Sequence, residues 1–173
     1  MAAIPPVHGD FRVTIQIGDR IPSTKLAQAT AEGPRPVSSD DFFGGRTVAL
    51  FAVPGAFTPT CSAAHLPGFK AHLEDFKAKG VDAVACLSVN DAFVMGAWGD
   101  SQGIGPDQIV MLADGNGDLT RALGLTLDAR MAGLGERSLR YAMLVRDGVV
   151  EQLNVDEPGA FEVSSAERLI AQL

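Results

Sequence analysis

Cys61 is the residue in this sequence whose type and surroundings suggest chemistry. It lies in Pro54-Gly55-Ala56-Phe57-Thr58-Pro59-Thr60-Cys61-Ser62, directly after the apolar run Thr47–Val53. Thr58 suits a helix N-cap and Pro59 a first helical residue, which puts Cys61 in the first turn. The early N–H groups of a helix lack intrahelical acceptors, and the positive end of the dipole is there. A sulfur so placed is stabilised as the thiolate, the nucleophilic form. The same N–H groups can hold the oxygens of a small polar substrate, and the Thr58 hydroxyl can donate to the sulfur or to that substrate. On spacing alone a second reading stands beside this one: a small cysteine packed under a turn and inert.

The chain has two cysteines, too few for a disulfide framework or a zinc site. Cys86 lies mid-run in Ala83-Val84-Ala85-Cys86-Leu87 and reads as strand core. His65 and His72 are spaced too widely for a compact helical metal pair, which prefers i,i+4. His72 reads as solvated surface, and His65 is close enough to Cys61 to tune it. No metal or cofactor is implied.

The elements that must position Cys61 follow from hydrophobic periodicity. Thr47–Val53 and Val81–Val89 read as strands buried on both faces. Leu66, Phe69, Leu73 and Phe76 between them form one face of a helix, terminated by Gly80. Pro67 cannot donate to the Ala63 carbonyl and must distort that helix. The segment Ala29 to Pro36 reads as a loop, and Ser38 to Gly45 as a short helical turn. Asn90-Asp91 opens a helix reaching Trp98, and Ile109–Leu112 is a further strand before the Asp114–Gly117 turn. Tyr141–Val145 and Val149–Val155 flank Asp147-Gly148, a hairpin signal. Ser164 with Glu167 is a capping-box pattern opening a last helix through Leu173. This order matches an α/β thioredoxin-like fold in one domain, residues 11–173, with a mixed central sheet covered by helices.

Composition narrows the partners. The 173 residues are 46% hydrophobic and 20% charged, and 14 Lys+Arg against 21 Asp+Glu leave a net charge of -7. Such a chain folds, and its acidic surface disfavours nucleic acid and anionic lipid. It has no apolar run long enough to span a membrane. Residues 1–10 show neither a secretory nor a transit pattern. They read as a flexible lead-in, with a cytoplasmic location expected.

The segment Pro54–Cys61 closely resembles the peroxidatic segment of peroxiredoxins of the type-five (also called type-two) subfamily. The resemblance continues through His65-Leu66-Pro67-Gly68-Phe69, Cys86 to Val94, Gly135 to Val145, and Leu153-Asn154-Val155 to the final helix. It implies a thiol-dependent peroxidase in which Cys61 attacks hydrogen peroxide or an alkyl hydroperoxide and becomes a sulfenic acid. By the same resemblance Thr58 aligns the substrate and Pro54 shields the sulfur from water. Thr60 and Gly55 bind substrate, the Thr60 and Cys61 N–H groups stabilise the breaking O–O bond, and Arg140 supplies a guanidinium beside the sulfur. Arg137 is expected behind it or at a subunit contact.

Val163 stands where some members carry a resolving cysteine. The resemblance to one-cysteine members therefore implies an external thiol, glutathione with glutaredoxin first and thioredoxin second. A homodimer through segments near Pro54, Phe93 and Gly135 is also implied. Thioredoxin-type disulfide exchange would need a thiol at Ala64. A redox-sensing or holdase protein using Cys61 as a switch is the reading from another class.

Overall fold

A computed structural model describes residues 14–105 and 107–173 of the chain, so the 1–10 lead-in lies outside the described residues. Nine strands, β1 (Lys25–Thr30), β2 (Gly33–Ser38), β3 (Thr47–Ala52), β4 (Ala83–Ser88), β5 (Val110–Ala113), β6 (Thr126–Asp128), β7 (Glu136–Ser138), β8 (Tyr141–Arg146) and β9 (Val149–Val155), form two sheets. The main sheet has the order β2-β1-β5-β4-β3-β8-β9, and β6-β7 form a separate small sheet. β3 pairs parallel with β4 and antiparallel with β8, so the sheet is mixed. The helices are α1 (Ser39–Phe43), α2 (Leu66–Ala71), α3 (Leu73–Ala78), α4 (Ala92–Ser101), α5 (Asp118–Leu123) and α6 (Ala166–Ile170). A π-helical turn, Cys61–His65, precedes α2, and a 3₁₀ turn spans Arg130–Ala132. This is the expected thioredoxin-like fold.

The continuous apolar run of β3 is buried on both faces because successive side chains alternate across a strand. Ala49, Phe51 and Val53 enter one core with Cys61, Leu66, Phe69, Phe76, Cys86 and Trp98. Val48, Leu50 and Ala52 enter the other, with Phe42, Phe43, Leu119 and Tyr141. Cys61 and Cys86 thus lie on the same side of the sheet, both without solvent exposure.

Three expectations are corrected. Ala29 to Pro36 is not a loop: it forms most of the β1–β2 hairpin, with Ala29 opposite Pro34 and Ala27 opposite Pro36. Its prolines are tolerated because β2 is an edge strand. The single helix over Leu66 to Phe76 is instead three pieces. Pro67 has no N–H to offer Ala63, and just before it the Leu66 N–H reaches back to the Cys61 carbonyl in a π turn. A second break falls at His72, between α2 and α3. Phe69 nevertheless stacks between Phe51 and Phe76, with ring centroids 4.1 and 5.5 Å apart. The last helix is capped by Ser165, which accepts from the Arg168 N–H, while the Ser164 hydroxyl turns inward. The small β6–β7 sheet carries no strong periodicity and was not anticipated; Thr126, Asp128 and Glu136 in its three-residue strands are exposed.

The β8–β9 hairpin is as expected. Asp147 and Gly148 both have positive φ, 47° and 78°, which is the left-handed pair that a tight two-residue turn requires.

Candidate active site

The loop leaving β3 is fastened before the helix begins. Asn90 Oδ1 accepts from the Ala56 N–H at 3.0 Å and from the Ser88 hydroxyl at 2.7 Å. The Gly55 carbonyl accepts from the Thr58 hydroxyl at 2.6 Å. Phe57 has φ 66°, an uncommon conformation for a bulky residue. A Cβ on Gly55 would stand 3.1 Å from Thr58 Cγ2 and 3.3 Å from Arg137 Nη1, so only glycine fits without displacement. Arg137 braces this region through the Leu134 carbonyl (2.8 Å) and the Val89 carbonyl (3.3 Å).

The first helical bond runs from the Ser62 N–H to the Thr58 carbonyl at 3.0 Å. Thr58 therefore occupies the N-cap position, but its hydroxyl donates to Gly55 rather than capping the helix or donating to sulfur. The N–H groups of Thr60 and Cys61 precede that first bond and are without helical acceptors, as helix starts are.

Cys61 Sγ lies 3.2 Å from Arg140 Nη2, and Arg140 Nη1 lies 3.0 Å from His65 Nδ1. Arg140 is 9% exposed, and among the described residues it makes no ion pair with a carboxylate. A cation taken out of water requires compensation. Here it has the sulfur, an imidazole nitrogen and the Phe161 ring, whose centroid is 5.7 Å from Cζ. The lone pair facing Arg140 is fixed from the far side of the imidazole, where Nε2 donates to the Ser164 carbonyl at 2.9 Å. Burial, with the Arg140 charge assisting, lowers the His65 pKa to about 3. His65 therefore stays neutral at physiological pH and presents an acceptor to the guanidinium.

Beside this pair is a cavity of about 110 Å³. Pro54, Thr60 and Arg140 line it on one side, with Leu127, Leu139 and Pro158 supplying apolar wall. Gly55 lies outside this lining and shapes the turn instead. His72, expected at the solvated surface, is half-buried and bonds Asp75 (2.7 Å) and Glu167 (3.0 Å), away from the sulfur. Cys86 lies in β4 opposite Phe51, and burial pushes its thiol pKa well up.

The structure thus bonds Arg140 to Cys61 and sets Pro54, Thr60 and Arg140 around one cavity, while Thr58 lies at the helix start, bonded to Gly55 and outside that lining. Asp156, Phe161 and Ser164 were missed. They reach the site only through contacts across large sequence separations, and Ser164 carried a competing local signal as a helix cap.

A buried sulfur at a helix start, faced by a guanidinium fork on a thioredoxin-like sheet, defines a thiol-dependent redox protein. The Redoxin family model matches residues 16–170. Peroxiredoxin-2E-2, chloroplastic, of Oryza sativa subsp. japonica is 52% identical over 164 residues, 92% of this chain and 73% of that protein. A Synechocystis peroxiredoxin is 42% identical over 171 residues, 90% of this chain and 89% of its own length. Reduced Prx3 of Vibrio vulnificus in complex with hydrogen peroxide has a TM-score of 0.87 at 51% identity, covering 92% of this chain and 99% of that one. The chain belongs to the peroxiredoxin family, and its chemistry is that of a thiol peroxidase acting on peroxides. The cytoplasmic expectation is overturned, since the rice relative and a 47% identical Arabidopsis thaliana relative are both chloroplastic proteins. That expectation rested on residues 1–10 lacking a targeting pattern, and such an absence is no basis for a compartment.

Proposed function

We propose that this protein is a one-cysteine peroxidase of the type-five subfamily, working through Cys61 and resolved by glutathione with glutaredoxin. The observation that carries the reading is the buried Arg140 fork, which among the described residues has no carboxylate partner and bonds Cys61 Sγ at 3.2 Å. A guanidinium so placed gives the sulfur a charged donor whose second prong is fixed by His65.

The thiolate attacks the distal oxygen of the hydroperoxide. The S–O bond forms as the O–O bond breaks, and the leaving oxygen takes a proton to become water or an alcohol. The N–H groups of Thr60 and Cys61, with the guanidinium, receive the developing charge on oxygen. The Thr58 hydroxyl, its proton held by Gly55, offers its lone pairs to the peroxide O–H. Pro54 limits water at the sulfur. The small cavity with its Leu127 and Leu139 wall suits hydrogen peroxide and short alkyl hydroperoxides, and the Vibrio relative is described with hydrogen peroxide bound. Glutathione then attacks the sulfenic acid, releasing water and leaving a mixed disulfide for glutaredoxin to reduce; thioredoxin is the second candidate. Phe57 and Phe93, 55% and 75% exposed, support a homodimer face beside the site.

The test is the mass of the protein after one equivalent of peroxide with glutathione present. One glutathione adduct, mapped to Cys61, is expected. An intramolecular Cys61–Cys86 disulfide would overturn the external resolution, and a protein that, given excess peroxide and the full reducing system, consumes only one equivalent would instead be a sensor.

A further inference from the structure

Asp156, the residue after β9, is a buried carboxylate, 4% exposed. A buried carboxylate needs donors for its lone pairs, and this one has four. Oδ1 accepts from the N–H groups of Glu162 (3.0 Å) and Val163 (2.8 Å). Oδ2 accepts from the Ser164 N–H (3.2 Å) and hydroxyl (2.6 Å). These bonds outweigh the burial penalty and hold the carboxyl below its usual range. They also fold residues 157–164 back over the site, where Glu157 to Ala160 line the cavity and Phe161 sits 5.0 Å from the His65 ring.

From here a closed circuit runs to the sulfur. The Ser164 carbonyl accepts a hydrogen bond from the His65 Nε2–H, and a neutral imidazole that donates at one nitrogen must accept at the other. Nδ1 therefore accepts from Arg140 Nη1, and the same guanidinium plane delivers Nη2 to Cys61 Sγ. The circuit closes through the backbone, because the Asp156 N–H donates to the Arg140 carbonyl at 2.9 Å.

We propose that Asp156 is a positioning residue for the peroxidase reaction: by holding Ser164 it sets the His65 tautomer and thereby aims the Arg140 guanidinium at Cys61. The proposal rests on the reading of Cys61 as the peroxidatic sulfur, and it concerns a residue that touches neither sulfur nor peroxide.

Asp156→Asn replaces one acceptor oxygen with a donor facing the Ser164 N–H. In the reduced protein, ¹⁵N spectra of His65 are expected to show a single Nε2–H tautomer in the wild type and a mixture in the variant. The rate constant for peroxide reduction should fall by at least about 10-fold, given that a 1 Å misplacement near a reacting centre costs roughly 100-fold. Asp114→Asn is the control, because Asp114 is an equally buried carboxylate that holds Leu119 and Thr120 at the start of α5. It should lower Tm while leaving the His65 tautomer and the peroxide rate as they are. If Asp156→Asn does not fold, Ser164→Ala decides, with a mixed tautomer and a loss of about 3-fold expected from one hydrogen bond. A folded Asp156→Asn or Ser164→Ala protein with one tautomer and the wild-type rate overturns the proposal, as does a wild-type His65 protonated on Nδ1. The tautomer is read without peroxide, so its failure is separable from failure of the Cys61 assignment.

Discussion

Arg140→Lys is the sharpest perturbation the site allows. The guanidinium makes two bonds from one plane, 3.0 Å to His65 Nδ1 and 3.2 Å to Cys61 Sγ. A lysine ammonium keeps the charge but loses the two-pronged geometry. Directed at the sulfur, it leaves the buried Nδ1 lone pair unsatisfied; directed at the imidazole, it abandons the sulfur. A hydrogen bond to a charged group contributes about 1.5–3 kcal/mol, so one lost bond to the reacting sulfur corresponds to a fall of roughly 10- to 100-fold in the rate with peroxide. The assay is stopped-flow oxidation of the pre-reduced protein, with iodoacetamide alkylation at the same pH as a measure of nucleophilicity without peroxide. Both rates should fall, the peroxide rate further, since peroxide oxygen also uses the fork. Wild-type peroxide kinetics in Arg140→Lys would refute the claim that fork geometry, rather than charge alone, activates Cys61.

Cys61→Ser is expected to abolish peroxide consumption, whereas Cys86→Ser should keep most of it, because Cys86 is buried in β4 with its pKa driven up by burial; equal losses in a turnover assay would contradict this. Acid stability should report His65. Its pKa of about 3 in the fold lies below the ~6.5 of an unfolded histidine, so the unfolded chain binds the extra proton. The contribution is complete above pH ~6.5 and is lost as pH falls toward 3, at up to about 1.4 kcal/mol per pH unit. Urea unfolding at pH 7 and 4.5 should show a smaller difference in His65→Gln than in the wild type, and an equal difference would refute it. His72, whose pKa is raised chiefly by its hydrogen bond to Asp75, acts in the opposite sense, its stabilisation present at low pH and lost as pH rises. It is more exposed, and its effect is correspondingly weaker.

Local signals served well where one interaction range dominated. The apolar run before Pro54 needed only period and length to read as a buried strand. Asp147-Gly148 adopted the conformation its residue types favour. The Thr58-Pro59 start placed Cys61 in a first turn, as expected. Local reading failed where two ranges competed. Ala29 to Pro36 looks like a loop by composition, yet an edge strand accepts prolines because one of its sides has no ladder to complete. Ser164 matched a capping pattern, but the stronger demand of the buried Asp156 carboxylate took its hydroxyl, and Ser165 became the cap.

The sequence by itself determined that Cys61 stands at the opening of a helix behind a buried strand, because that placement depends on neighbours a few residues away, and the resemblance of its segment chose the reactive reading over an inert one. That Arg140 is the cation beside it was implied by resemblance alone, since an arginine before a strand is no different locally from a solvated one. Only the tertiary structure decided the hydrogen-bond partners: His65 meets Arg140 across 75 residues, Arg140 meets Cys61 across 79, and Ser164 meets His65 across 99. The physical reason is that a buried charge is compensated by whatever donors and acceptors the packed sheet and helices bring within about 3 Å, and that set does not exist until the chain has folded.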